Sequence, residues 1–182
     1  WNNEAPINRW DDILMLLERL APEKPLIPED LVLRAQFFGL AYAICGELGF
    51  GWNRRLDGMH TGAQIGRDPG LYGKKYGYNE RDGKQAAQRS INFLHHLTNL
   101  LRYQHENGSD YLIGDALTAV DFYWAAFSNL AVIQSPEDCP LDPAIRPMFE
   151  RVAPEVSAAV DPILIEHRNR IMHALFKIPM EL

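Results

Sequence analysis

A helix start inside one short segment, NGSDYLIGDALTAVDFYWAAF (residues 107–127), constrains the fold of this chain more than any other feature. Thr118 is followed three residues later by Asp121, a spacing that lets each side chain satisfy the other residue's free backbone N–H at a helix N-terminus. Leu117 and Phe122 occupy the positions of a hydrophobic staple around this capping box. We therefore assign Thr118 and Asp121 to folding, as a structural cap that begins an apolar core helix, and not to catalysis.

The composition favours one helical unit with a sizeable core, because 47% of the 182 residues are hydrophobic. The formal net charge of -6 argues against a nucleic-acid partner, since such proteins usually present a basic surface. The two cysteines, Cys45 and Cys139, lie far apart, which suits a reducing compartment, and we expect a cytoplasmic protein. No uninterrupted apolar run approaches the roughly 20 residues of a membrane span, so we expect no membrane association.

Proline, glycine and hydrophobic periodicity predict the first half of the chain. We expect a helix from an Asn8 cap to Leu20, a proline-rich connector, and a long helix from about Glu29 that bends near residues 49–51. The glycine-rich residues 66–79 are typical of a mobile loop.

The remaining elements follow from the same signals. Residues 1–7 predict two short extended segments joined by a turn, and residues 80–105 predict a second long helix. Residues 136–140 predict a turn, and the Asp142-Pro143 and Asp161-Pro162 pairs predict the starts of two further helices.

Three segments carry a resemblance to a known family. YLIGDALTAVDF resembles the buried capping box and preceding Gly-Asp turn in the C-terminal helical domain of cytosolic glutathione transferases. PLIPEDLVLRA is similar to the linker that enters this domain, and DPILIEHRNRIMHALFKIPMEL resembles a closing helix and tail of bacterial transferase-like proteins. The resemblance implies an all-α helical bundle over residues 25–182. Residues 1–24 would be the end of a thioredoxin-like α/β domain and a linker, with most of that domain upstream of Trp1.

The resemblance implies a homodimer that uses glutathione as co-substrate and conjugates or binds a hydrophobic small molecule. In the family the catalytic Tyr, Ser or Cys lies upstream of the position of Trp1, so this chain is expected to hold no catalytic residue. An alternative is a non-catalytic dimerisation or docking module with the same fold. Whether the chain serves an enzyme is left open between these two functions.

Arg9 and Trp10 correspond to the family's pair of Glu or Gln followed by Ser, which holds the γ-glutamyl end of glutathione. Arg9 could meet the carboxylate of glutathione through a bidentate contact, whereas Trp10 cannot replace the hydroxyl. In the alternative interpretation Arg9 is solvated and Trp10 packs by its apolar area.

The resemblance also implies an acceptor-substrate cleft, one wall of which is the second helix. Its candidate residues give a concave, aromatic and cationic surface, and they are Glu47, Trp52, Arg54, Arg55 and Tyr123. Alternatively, Glu47 forms a structural ion pair with Arg54 or Arg55 across the glycine-rich bend.

The histidines and cysteines do not predict a metal site. His95 and His96 are adjacent, so on a helix they point about 100° apart and cannot share one face. His105, His167 and His173 are expected at helix ends or on exposed faces. Cys45 is expected in the core, because free cysteine is commonly buried.

Overall fold

The computed structural model describes residues 5–180, and this part of the chain contains helices and no strand. It also contains a short 3-10 turn, Ser128–Leu130. The helices are α1 (Trp10–Leu20), α2 (Leu31–Cys45), α3 (Phe50–Gln64), α4 (Gly70–Lys75), α5 (Glu80–Glu106), α6 (Ala119–Phe127), α7 (Arg146–Glu150), α8 (Pro154–Ala158) and α9 (Pro162–Leu175). The all-α prediction is confirmed for the described residues.

The N-terminal elements differ from the sequence prediction. The first predicted extended segment and the turn after it lie outside the described residues. Residues 5–9 have no regular structure, so the second strand is not formed there. A lone strand has no neighbour to satisfy its backbone groups. α1 begins at Trp10 with Arg9 at the N-cap position, so the predicted cap by Asn8 is wrong.

The bend predicted near residues 49–51 is a break between two helices. α2 ends at Cys45, a turn follows, and α3 begins at Phe50. The turn needs glycine at position 49, because a Cβ there would lie 2.8 Å from the carbonyl oxygens of Tyr42 and Ala43. This break sets the angle at which α3 leaves α2.

By length and composition, the segment Leu31–Gln64 meets the requirements for a membrane span. Its most apolar window has a mean hydropathy of 1.3, and 28% of that window is buried inside the protein. The core helix of a soluble protein or a signal sequence passes the same test, so the finding carries little weight. The segment is also divided by the break between α2 and α3.

Two further predictions on local structure need correction, and two are confirmed. Residues 66–79 are not an irregular loop, since they contain α4. Asp142-Pro143 forms a turn, and the helix begins only at Arg146. In contrast, α5 occupies the predicted range, and α9 begins at Pro162 with the Asp161 carboxylate accepting from the N–H of Ile163 at 3.1 Å.

α6 lies at the centre of the fold and packs against both α2 and α9, while α3 packs along α5. Trp124 of α6 is fully buried, and its indole N–H donates to the carbonyl of Leu164 in α9 at 3.0 Å. The rings of Phe50 and Phe93 lie 5.8 and 6.3 Å from its own. The capped helix predicted from the sequence is therefore the element on which the core is built.

Candidate functional site

The predicted capping box is present at the start of α6. One carboxylate oxygen of Asp121, Oδ2, accepts from the backbone N–H of Thr118 at 2.8 Å and from its hydroxyl at 3.0 Å. Both residues are buried. The box therefore works without competition from water, which raises the cost of losing it.

Asp121 does more than cap its helix. Its second oxygen, Oδ1, accepts from the backbone N–H of Leu112 at 3.0 Å and lies 3.1 Å from Nε2 of His167 in α9. The Nε2 contact falls short of an aligned hydrogen bond, so it is mainly electrostatic. This carboxylate ties the loop before α6, the start of α6 and α9 together.

His167 is buried, so the prediction that it lies at an exposed position is wrong. Its other ring nitrogen, Nδ1, lies 3.2 Å from Nη2 of Arg170. Because a guanidinium can only donate, Nδ1 must accept and Nε2 must carry the hydrogen that faces Asp121. The sequence did contain a signal for this burial. In a helix capped by Asp161, His167 follows Leu164 by three residues and precedes Ile171 by four, so all three lie on the inner face of α9.

Arg9, which was predicted to bind the carboxylate of glutathione, is held in an ion pair within the protein. Its guanidinium makes two contacts with Asp11, at 2.7 and 3.1 Å, and lies 3.7 Å from Asp12. The hydrogen bond with Asp11 raises the pKa of Arg9 and lowers that of the Asp11 carboxyl. A ligand carboxylate would have to share or replace Asp11 to reach Arg9.

Trp10 belongs to an aromatic group, with Tyr42 and Tyr123, that was not predicted from the sequence. Its ring is edge-on to Tyr123 of α6 at 5.8 Å and to Tyr42 of α2 at 6.2 Å. Cys45 is near enough to Tyr123 to affect its ionisation. The group brings α1, α2 and α6 together, and its outer edge is accessible because Tyr42 is exposed.

The hydroxyl and thiol of this aromatic group stay protonated at neutral pH. Burial, followed by the charges of Cys45 and Asp11, raises the pKa of Tyr123 to about 12. Burial also raises the pKa of Cys45 to about 12. A nucleophilic cysteine needs a lowered pKa, so Cys45 has the environment of a structural residue.

The structure brings two of the predicted cleft residues, Trp52 and Arg55, together around Tyr76. The indole N–H of Trp52 donates to the carbonyl of Tyr76 at 3.1 Å, and the two rings lie 5.0 Å apart. The Arg55 guanidinium lies over the Tyr76 ring at 5.4 Å. Tyr76 was missed because it belongs to the segment predicted as a mobile loop.

The remaining predicted cleft residues are not joined to this pair. Arg54 is buried, binds the Asp57 carboxylate at 2.5 Å, and donates through Nε to the carbonyl of Leu130 at 3.0 Å. Glu47 is exposed and forms no ion pair with Arg54 or Arg55 within residues 5–180, so the predicted ion pair across the bend is wrong. Arg54 serves to fix α3 against the end of α6.

Two surface cavities lie away from these groups. The larger, of about 310 Å³, lies between α5 and the start of α9 and is lined by His95, Thr98, Asn99, Arg102, Ala158, Ala159 and Asp161. The smaller, of about 240 Å³, is lined by Ala131, Val132, Ile133, Phe149, Glu150, Val152 and Ser157. Neither contains a residue predicted to bind glutathione or its acceptor.

Among residues 5–180 no group of three or more His, Cys, Asp or Glu side chains is placed to hold a metal ion. No family model, curated protein or solved structure matches this chain. The functional argument therefore depends on the residues and contacts described above.

Proposed function

We propose that this chain belongs to a glutathione transferase-like protein, which conjugates or binds hydrophobic electrophiles with glutathione when an upstream thioredoxin-like domain is present. The observation that carries the proposal is the buried Asp121 carboxylate. This carboxylate lies in the segment that resembles the family's capping box. It supports the proposal because it caps the central helix α6 and also contacts the preceding loop and α9. The proposal includes a cytoplasmic homodimer.

The aromatic group of Trp10, Tyr42 and Tyr123 supplies the surface for a hydrophobic ligand. Ring faces and edges at a junction of three helices give an apolar contact area with one polar handle, the protonated hydroxyl of Tyr123. This hydroxyl can donate a hydrogen bond to an acceptor atom of the ligand. Activation of the glutathione thiol is assigned to the upstream domain, since Cys45 and Tyr123 do not ionise near neutral pH.

A second candidate function is the non-catalytic docking module. It is favoured by α1, on which Ile13, Leu17 and Leu20 are exposed at spacings of four and three residues and form one apolar stripe. It is also favoured by the ion pair that occupies Arg9. A helix with such a face is suited to cover, or be covered by, another folded unit.

Titration calorimetry with glutathione tests the two functions. We expect the 182-residue chain to bind with a Kd no tighter than about 1 mM, or about −4 kcal/mol, because only a few exposed contacts are available. A longer protein with the thioredoxin-like domain should bind more tightly and conjugate an aryl halide. Arg9→Ala should weaken that binding, whereas Arg151→Ala, which removes an exposed arginine from another surface, should not.

Micromolar binding by the 182-residue chain would show that the site is misplaced. No binding by the longer protein would reject the transferase function and favour the docking module.

A further inference from the structure

The segment between α3 and α5, residues 65–78, forms a small projection that we call the α4 knob. Three large apolar side chains on it are exposed to solvent: Leu71 by 83%, Ile65 by 66% and Tyr72 by 58%. Two of them are consecutive residues of α4. An exposed leucine alone needs no explanation, but three such side chains on one projection indicate a contact surface.

The α4 knob is held firmly at its base. Tyr76 is fixed by the indole of Trp52 and the guanidinium of Arg55. The hydroxyl of Tyr78 lies 3.1 Å from Nδ1 of His60, and both side chains pack against Gly83 so closely that a Cβ there would lie within 2.9 Å of them. The ring of Tyr72 lies 5.6 Å from that of Tyr76, so this packed base presents Tyr72 and its neighbour Leu71 to solvent.

The charge of the α4 knob is opposite to that of the whole protein. Arg67, Lys74 and Lys75 are exposed, and none of them forms an ion pair within the described part of the chain. The single acidic residue of the knob, Asp68, accepts from the N–H of Gly70 at 2.9 Å. A protein of net charge -6 thus presents three basic residues against one acidic residue around Leu71, the most exposed leucine among residues 5–180.

We propose that the α4 knob docks onto an anionic lipid surface. Leu71 and Tyr72 enter the headgroup region, while Lys74 extends its ammonium group to lipid phosphates and carboxylates. The Lys75 ammonium lies over the Tyr76 ring at 5.5 Å and adds its charge to the same surface. The charge complementarity is specific to this projection, since the protein as a whole would be repelled by such a surface. This surface contact requires no membrane-spanning helix, and it differs from the sequence-based expectation of no membrane association, which the vesicle experiment tests.

The size of the apolar tip distinguishes a lipid surface from a protein partner. A stable protein interface buries about 800 Å² on each side, which is more than three side chains on a short projection provide. Peripheral membrane binding needs only a few inserted apolar side chains together with several basic residues.

Sedimentation with lipid vesicles tests the proposal on the whole 182-residue chain. Vesicles of phosphatidylcholine with about 30% phosphatidylserine should carry the protein down, and vesicles of phosphatidylcholine alone should not. Raising the salt concentration from about 0.1 to about 0.5 M should release the protein, because the charge contribution is screened.

Two variants and two matched controls assign the binding to the α4 knob. Lys74→Ala with Lys75→Ala should lower the partition onto anionic vesicles roughly 25-fold, about fivefold for each charge. Leu71→Asp should lower it by about tenfold or more. The controls should bind like the unmodified protein: Lys24→Ala with Lys177→Ala makes the same change in net charge elsewhere, and Leu31→Asp replaces a leucine that is 79% exposed on α2.

Circular dichroism and thermal melts should show that all four variants fold, as expected for exposed positions. The proposal is rejected if the unmodified protein does not bind the anionic vesicles at millimolar lipid. It is also rejected if the controls lose as much binding as the knob variants. Retention of the protein on immobilised polyglutamate without vesicle binding would reject it in favour of an acidic protein partner.

Discussion

Replacement of Asp121 by alanine should destabilise the protein far more than the loss of an ordinary helix cap. The substitution removes the acceptor for the backbone N–H groups of Thr118 and Leu112, both of which are buried. It also removes the charge that faces His167. A buried donor without a partner costs about 1–3 kcal/mol, so two such donors and the lost electrostatic contact predict a loss of about 3–5 kcal/mol.

The matched control is Asp30→Ala. Asp30 caps α2 by accepting from the N–H groups of Val32 and Leu33 at 3.0 and 2.9 Å, but it is exposed, so water can replace it. We expect that variant to lose about 1 kcal/mol. The difference between the two variants measures what burial of the cap, the hydrogen bond from Leu112 and the contact with His167 add together.

Urea denaturation followed by circular dichroism measures both losses. Hydrogen exchange should show faster exchange of the Leu112 amide in the Asp121 variant, because that amide loses the Asp121 oxygen as its acceptor. A double-mutant cycle with His167→Ala should give a coupling free energy of about 0.5–3 kcal/mol between the two side chains. A loss of about 1 kcal/mol, equal to that of Asp30→Ala, would refute the reasoning that Asp121 joins three segments.

Three further predictions concern the cap and the aromatic group. Thr118→Ala should lower the free energy of unfolding by about 1–2 kcal/mol, whereas Thr118→Ser keeps the hydroxyl and should lose less; equal denaturation midpoints would contradict the cap. Tyr123 stays neutral in the folded protein up to a pKa of about 12, above the roughly 10 of an unfolded tyrosine, so its contribution to stability is complete below pH 10 and is lost as the pH rises towards 12. Ultraviolet titration should show one tyrosine ionising last, and Tyr123→Phe should remove that step; an unchanged titration would place the late step elsewhere. Cys45, with a pKa of about 12, should react with iodoacetamide at pH 8 much more slowly in the folded protein than in urea, and equal rates would contradict its burial.

The candidate ligand surface was predictable only in its local parts. Arg9 and Asp11 form an ion pair because Arg9 is the N-cap residue and Asp11 lies in the first turn of α1. The predicted cap at Asn8 would have put both on the helix at a spacing of two, where side chains do not face each other. Trp10 and Tyr123 are separated by more than a hundred residues, and only the packing of α1 on α6 brings their rings together. The glycines around Tyr76 predict a loop. The indole of Trp52, which holds Tyr76 in place, lies 24 residues away, so local sequence does not indicate this contact.

What the sequence by itself determined is the set of features whose partners lie within about four residues. The capping box of Thr118 and Asp121 and the Asp161 cap of α9 are of this kind, because a side chain there reaches backbone groups of its own turn. The glycines near position 49 predicted a bend, and the structure has a break between α2 and α3 at this place. At these positions local chemistry predicts where a helix begins or ends, but the predicted starts at Asn8 and at Asp142-Pro143 were wrong.

Only the tertiary structure decided which polar groups are buried and what they bind. The sequence offered Glu47 as a partner for Arg54, whereas Arg54 pairs with Asp57, three residues away on the same helix. Its second partner, the carbonyl of Leu130, lies 76 positions away and is reached only through the packing of the helices. His167 was expected at the surface and lies instead against Asp121. A buried polar group must find a partner, and the elements that pack around it determine which partner is within reach.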